Sequence, residues 1–188
     1  AEEGKKQIAI TFDDGPNPEY TMKLLEGLKK RGVKATFFVL GEEVERYPDI
    51  LKAAYDDGHL IGVHSYQHVN FGQIGDAAAL EQVEKTRQAI YDVTGEYTGY
   101  IRPPYGCWKK ELDQELPMIE VLWDIDPLDW ATKDADTVVQ RVLQKCPDGS
   151  IILLHDASES SVCAAFTIID TLQKQGYEFV TVEELMLE

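Results

Sequence analysis

Gln7-Ile8-Ala9-Ile10-Thr11-Phe12-Asp13-Asp14-Gly15-Pro16 reads as a buried strand that runs into two acids and a turn. A near-continuous apolar run suits a strand covered on both faces, as strands of a parallel sheet are. Asp-Gly and Gly-Pro then break the run. A turn accounts for Gly15 and Pro16, but it has no need of two adjacent carboxylates. Such a pair repels itself unless a cation or a base shares the site.

Short runs of the same kind recur at 35–39, 60–63, 100–102, 120–123, 150–154 and 178–180, with helical patterns between them. The stretch 20–31 spaces Met22, Leu25 and Leu28 three apart and stops at Gly32; 49–56 lies between Pro48 and Gly58; 76–94 stops at Gly95. The stretches 134–145, 162–175 and 182–187 complete the set. Seven alternating units predict a parallel sheet, since each helix supplies the right-handed crossover that parallel strands require. A full eightfold barrel takes about 250 residues. At 188 residues the expectation is α/β: a distorted, incomplete (β/α) barrel with about seven parallel strands. The whole chain, 1–188, reads as one domain, and a doubly wound open sheet is the alternative.

Composition narrows the function. Hydrophobic residues are 44% of the chain, enough for a large core, and the 34 acidic against 18 basic residues give a net charge of −16. That charge argues against nucleic acid, whose phosphates need a cationic face, and against docking on an anionic membrane. No apolar run approaches the roughly 20 residues of a membrane span. The chain opens on Ala1 without a signal peptide, so a segment trimmed from something longer is expected. Cys107, Cys146 and Cys163 show no CxxC spacing and read as buried or semi-buried thiols.

In α/β folds chemistry gathers where strands end, and five strand ends here carry reactive residues. Asp13 and Asp14 follow the first. His64 and His68 follow the third; four apart on a helical turn, they could offer two imidazoles to one cation. With a nearby Asp they would leave coordination positions open, as catalytic metals require. After the fourth strand, Arg102-Pro103-Pro104-Tyr105 is a stiff loop able to aim Arg102 and the Tyr105 N–H. After the fifth come Asp124, Asp126, Asp129 and Trp130, acids able to orient a His or Arg beside a ring able to wall a sugar groove. After the sixth, His155 emerges from Ile151-Ile152-Leu153-Leu154, suited to proton transfer near neutrality. His59, at the opposite end of a strand, receives no role. Each segment taken alone also fits an ordinary turn, loop or core histidine.

Taken in order, Thr11-Phe12-Asp13-Asp14-Gly15-Pro16, HSxxH, RPPY, DxxDW and LxHD resemble the five motifs of the polysaccharide deacetylases, carbohydrate esterase family four or NodB-homology domain. The resemblance runs from about Ile8 to Leu187. It implies a hydrolase using one divalent metal, usually zinc, with Co2+ or Ni2+ as alternatives. Asp14, His64 and His68 would be its ligands. Asp13 would be the general base toward the attacking water, held by Arg102. His155, oriented by Asp129, would be the acid for the leaving amine. The Tyr105 N–H would help stabilise the oxyanion, and Trp130 and Leu153 would line the pocket around the acetyl methyl. Val63 stands before His64 where members often carry a polar residue.

Tyr105 follows the two prolines, where members acting on the N-acetylmuramic sugar resemble RPPRG. The segment from Asp129 to Tyr177 is most similar to bacterial peptidoglycan N-acetylglucosamine deacetylases. The expected substrate is therefore β-1,4-linked N-acetylglucosamine in peptidoglycan. An acetylxylan esterase and a chitin-oligosaccharide deacetylase are the alternatives on the same fold. A catalytically dead carbohydrate-binding module is a third reading, disfavoured because Asp13 and His155 are both present. The expected setting is extracellular or at the cell surface, as a monomer without membrane contact of its own and with the signal or anchor in a missing N-terminal segment.

Overall fold

The computed structural model describes residues 4–187. Among these residues seven strands form: β1 (Lys6–Asp13), β2 (Thr36–Val39), β3 (Leu60–Val63), β4 (Tyr100–Ile101), β5 (Ile119–Glu120), β6 (Ile151–His155) and β7 (Tyr177–Phe179). Eight helices accompany them: α1 (Thr21–Lys30), α2 (Gly41–Arg46), α3 (Pro48–Asp56), α4 (Asp76–Thr94), α5 (Asp129–Thr132), α6 (Ala135–Leu143), α7 (Glu159–Lys174) and α8 (Val182–Met186). All pairings are parallel, in the order β5-β4-β3-β2-β1-β6, with β7 joined to the first residues of β1.

This is the incomplete barrel rather than the open doubly wound sheet, whose strand order would reverse at a switch point. Here the order is sequential from β5 back to β1, and the segment after β5 reaches β6. Val121 N–H donates to Ile101 O at 2.8 Å, while Ile125 bridges Ile152 and receives the Leu153 N–H at 2.9 Å. An irregular stretch thus stands where a regular strand would close the barrel. The fourth and fifth strands are correspondingly short, two residues each against the three and four expected. Two short helices lacked a periodic signal: α2 buries only Gly41 and Val44, and α5 is four residues long.

Alternation along β1 divides the interior. Ile8, Ile10 and Phe12 face the helices and pack with Leu24, Leu28, Phe37, Ile152 and Ile168. Ala9 faces the barrel lumen and packs with Phe38, Val121 and Val182; Thr11 and Asp13 share its side by the two-residue period. Burying each large aliphatic or aromatic side chain contributes about 1.5–3 kcal/mol, so the outer layer carries most of the stability.

The lumen is narrow at Gly62, where a Cβ would stand 2.6 Å from the Phe38 ring and 3.2 Å from Tyr100 O. Gly62→Ala is expected to lower stability by about 1–3 kcal/mol through overpacking. An unchanged urea midpoint would refute this. The cysteines depart from expectation. Cys107 and Cys163 are exposed and only Cys146 is half-buried. Cys163 lies on the outer side of α7, whose neighbours Val162, Ala164 and Ala165 face inward.

Candidate active site

β1 delivers two neighbouring carboxylates into different company. Asp13, still in the strand, is buried, and its Oδ1 accepts from Arg102 Nη1 at 2.9 Å. Asp14 leaves the strand at φ +81°, in the left-handed region that non-glycine residues rarely occupy. That twist turns its side chain toward the histidines. It is held by Asp14 N–H to Phe38 O at 3.2 Å and Leu40 N–H to Gly15 O at 3.1 Å. Close packing adds to this, since a Cβ on Gly15 would meet the buried Asp156 carboxylate at 2.7 Å. Asp156 accepts from Thr21 Oγ at 2.6 Å, and Thr21 accepts the Asn17 N–H at 2.7 Å. Burial pushes the Asp156 carboxyl up to about 6, against the lowering effect of the Thr21 hydrogen bond.

His64 and His68 do come together, though not on the helical turn expected from their spacing. Residues 64–70 are irregular, with Ser65 at φ +72° and His68 at φ +57°. The loop is tied down from outside: Tyr66 and Gln67 N–H both donate to Gln82 Oε1 of α4 at 3.0 Å, and Gly41 N–H donates to Ser65 O. These anchors replace the helical bonds that the spacing invited. His64 Nδ1–H donates to Arg102 O at 2.6 Å, which leaves Nε2 with its lone pair. That Nε2 lies 3.2 Å from Asp14 Oδ1, and His68 Nε2 lies 3.4 Å from the same oxygen.

Three acceptor atoms thus converge, all within 4.8 Å of one another. Asp14 Oδ1 is buried without a well-formed hydrogen bond. Such a cluster calls for a positive charge between its members. Two imidazole nitrogens and one carboxylate oxygen suit zinc and its neighbours, and the backbone carbonyl behind His64 fixes its tautomer for that purpose. The donor set therefore fits a divalent cation. Without one, the protonation equilibria show the same strain. Burial would raise the Asp14 carboxyl, yet the imidazoles of His64, His155 and His68 hold it below the usual range. His64 is raised because Asp13 and Asp14 outweigh its burial.

Arg102 is fully buried and spends its donors on four acceptors. Nη1 serves Asp13 and Thr11 Oγ1 (2.6 Å), Nε serves Val121 O (3.0 Å) and Nη2 serves Leu122 O (3.0 Å). Its plane lies over Phe38 at 4.4 Å. His155 ends β6 directly across from Asp13 in register. Its Nδ1 lies 2.8 Å from Asp129 Oδ1, and its own N–H and Ser161 Oγ both donate to Asp129 Oδ2. Burial alone would depress this imidazole. The hydrogen bond and charge of Asp129, with Asp13 and Asp14 behind it, instead raise it to about 9.

The raised pKa stabilises the fold, in full below the ordinary value of about 6.5, and the contribution is lost as pH rises through about 9. In chelator-treated protein, Asp129→Asn is expected to bring the His155 ring titration below 6.5, read by NMR. A titration that stays near 9 would assign the shift to other groups.

The remaining expected residues are placed as follows. Tyr105 is 66% exposed at φ +61° in a 3-10 turn, its ring edge-on to His68 at 5.1 Å. Gly106 and Cys107 close that turn onto Pro103 and Pro104, while the Tyr105 N–H donates to no backbone carbonyl among the described residues. Leu153 is buried on the lumen side of β6, and Trp130 is 62% exposed beside Asp129. Asp124 and Asp126 turn out to hold backbone, accepting from Ile151 N–H and Leu128 N–H. Thr11, Ser161 and Asp156 were not anticipated. Thr11 could have been found by the two-residue period from Asp13; Ser161, 32 residues from Asp129, had no local signal.

A sequence profile described as polysaccharide deacetylase matches residues 1–120. The chain is 39% identical over 180 residues to the peptidoglycan-N-acetylglucosamine deacetylase PgdA of Listeria monocytogenes, covering 96% of this chain. It is 42% identical over 181 residues, with the same coverage, to the peptidoglycan-N-acetylmuramic acid deacetylase PdaC of Bacillus subtilis. The chain spans 39% of the length of each of these two relatives. A solved structure of PdaC superposes with a TM-score of 0.94 at 42% identity, covering 97% of this chain and 91% of that one.

Proposed function

Since the chain belongs to the polysaccharide deacetylase family, we propose that it is a metal-dependent hydrolase that removes N-acetyl groups from β-1,4-linked N-acetylglucosamine in peptidoglycan, releasing acetate. The observation that carries this reading is the division of labour between neighbouring acids, Asp13 against Arg102 and Asp14 against two histidines. Relatives named for both peptidoglycan sugars support the polymer. Tyr105 after the two prolines favours the glucosamine unit.

Asp14, His64 and His68 would hold the cation, zinc by its donor set. When bound, the cation supplies Lewis acidity to the acyl carbonyl and acidifies water. The chain's own residues do the rest. Asp13 keeps Oδ1 on Arg102 and has Oδ2 free, 3.7 Å from His64 Nε2, to take the proton of the attacking water. Arg102 keeps that carboxylate in one rotamer. The Tyr105 N–H, aimed by the proline-stiffened turn, donates to the oxygen that becomes negative as water adds. An amine leaves badly as an anion, so the nitrogen must receive a proton. His155 carries one on Nε2, with Nδ1 engaged by Asp129 and a pKa of about 9 that keeps it charged at neutrality. Leu153 and Trp130 bound the acetyl group.

In this reading residues 1–188 are one monomeric catalytic domain acting outside the cytoplasm, where its polymer lies. The test is acetate release from N-acetylglucosamine oligomers, from peptidoglycan and from acetylated xylan, before and after chelation. Release from the first two, lost on chelation and restored by zinc, is expected. Release from xylan alone would replace the substrate. No release from any of the three, with cation bound, would leave a binding module.

A further inference from the structure

The irregular stretch between β5 and α5 carries an aromatic side chain that the mechanism above does not use. Trp123 is half-buried and belongs to neither hydrophobic cluster, so filling the core does not explain its size. Its backbone has little freedom. Val121 N–H is held by Ile101 O on one side, and Asp124 N–H donates to Ile151 O at 2.9 Å on the other. The Asp124 carboxylate adds to this by accepting the Ile151 N–H at 2.8 Å. The indole therefore projects from a segment pinned to both β4 and β6.

Two contacts define what the ring can do. The Arg102 guanidinium carbon stands over it at 5.6 Å, as it stands over the Phe38 ring at 4.4 Å. Phe38 is fully buried in the lumen and Trp123 is not, so the indole is the cover on the side of solvent. At its far end the indole Cη2 lies 3.5 Å from where a Cβ on Gly106 would stand, with Leu122 Cδ2 3.8 Å from the same point. Gly106 follows Tyr105 in a turn where both residues are left-handed, at φ +70° and +61°. Tyr105, having a side chain, keeps that conformation only where its surroundings hold it. Gly106 N–H to Pro103 O at 3.0 Å and Cys107 N–H to Pro104 O at 3.2 Å close the turn from within. The indole and Leu122 support it from outside.

We propose that Trp123 is a positioning residue that joins the holder of the base to the oxyanion turn. Its ring keeps water off the Arg102–Asp13 pair and fixes the turn carrying the Tyr105 N–H at a constant distance from that pair. Water admitted to a buried ion pair weakens it, by raising the local dielectric and by offering competing hydrogen bonds. An arginine stacked on aromatic faces is also held in one orientation. The placement of Trp123 is a matter of geometry; that a base and an oxyanion donor are what it aligns rests on the deacetylase reading above.

The experiment compares Trp123→Leu and Trp123→Phe with the wild type, all loaded with zinc, by NMR and by kinetics. Leucine keeps apolar bulk but removes the ring. Phenylalanine keeps a ring for Arg102 but is too short to reach Gly106. The Arg102 Nε–H serves Val121 O; in Trp123→Leu it should exchange with water about tenfold faster, and Trp123→Phe should restore most of its protection. The Tyr105 and Gly106 amide signals should move in both variants. In Trp123→Leu kcat should fall by about 10–100-fold, since small misplacements near the reacting atoms are that costly. KM and zinc affinity should stay essentially unchanged, as for an interaction felt only in the transition state.

Unaltered Arg102 exchange in Trp123→Leu, unmoved Tyr105 and Gly106 signals, or zinc affinity lost in step with kcat would each overturn the proposal. A raised KM with kcat retained would also overturn it and make the indole a plain substrate contact. If Trp123→Leu does not fold, Trp123→Phe decides. Moved turn signals with a lowered kcat would then support the proposal, and wild-type values of both would overturn it. The NMR signals need no substrate. A wild type that releases no acetate would therefore remove the deacetylase reading alone, and those signals would still decide whether Trp123 holds Arg102 and the turn.

Discussion

Asp13→Asn should lower kcat by about 10²–10⁴-fold with zinc affinity essentially unchanged. Asparagine retains an oxygen for Arg102 Nη1, now at 2.9 Å from Oδ1, so the loop and its neighbours keep their geometry. It cannot accept a proton from water. Asp14, His64 and His68 are untouched, and none of the three acceptor atoms belongs to Asp13. The discriminating measurement is therefore a pair: turnover on N-acetylglucosamine oligomers, and zinc titration against a competing chelator. Retained turnover would remove Asp13 from the role of base. Lost zinc affinity together with lost turnover would make it part of the cation site instead.

The second large effect is on stability. Arg102→Met should destabilise the protein by about 3–5 kcal/mol, because it strands a buried carboxylate. Against a typical total of 5–15 kcal/mol this is a large fraction. The mechanism is specific. Asp13 and Arg102 are both buried, and the change also leaves Val121 O and Leu122 O without their donor. Methionine fits the slot over Phe38, so lost packing is a minor contribution. Adding Asp13→Asn to Arg102→Met should then restore part of the loss, a positive coupling in a double-mutant cycle. A double variant no more stable than Arg102→Met by denaturant titration would refute the charge argument. In that case the unserved carbonyls carry the cost.

Several misreadings have local causes. The HxxxH spacing invites a helix because four residues make about one turn, yet Gln82 and the start of α2 hold 64–70 in an irregular path. Strands β4 and β5 came out shorter because the stretch after β5 is shared between two neighbours, Ile101 on one side and Ile151 on the other. Asp124, Asp126 and Asp129 looked alike as residues of one acidic loop. Only Asp129 is carried inward by a helical turn, to reach His155 and Ser161.

What the sequence determined by itself is the repeating unit and its ends. Apolar runs of strand length, helices with their stops, and the reactive residues that follow each run are local properties, written within a few residues of one another. Parallel pairing then follows from the crossovers, and with it the gathering of five strand ends at one mouth. What only the tertiary structure decided is which atom faces which. Asp13 and Asp14 are neighbours in sequence, but their partners, Arg102 and the two histidines, lie about fifty to ninety residues away. The left-handed turn at Asp14 that separates them is imposed by Phe38, Leu40 and Asp156. The same holds for a cavity at the far end of the barrel, whose lining is drawn from α3, the loop between α4 and β4, and α8. Distances of that kind depend on how helices and strands of fixed geometry fill a shared core. No pattern within a single element encodes them.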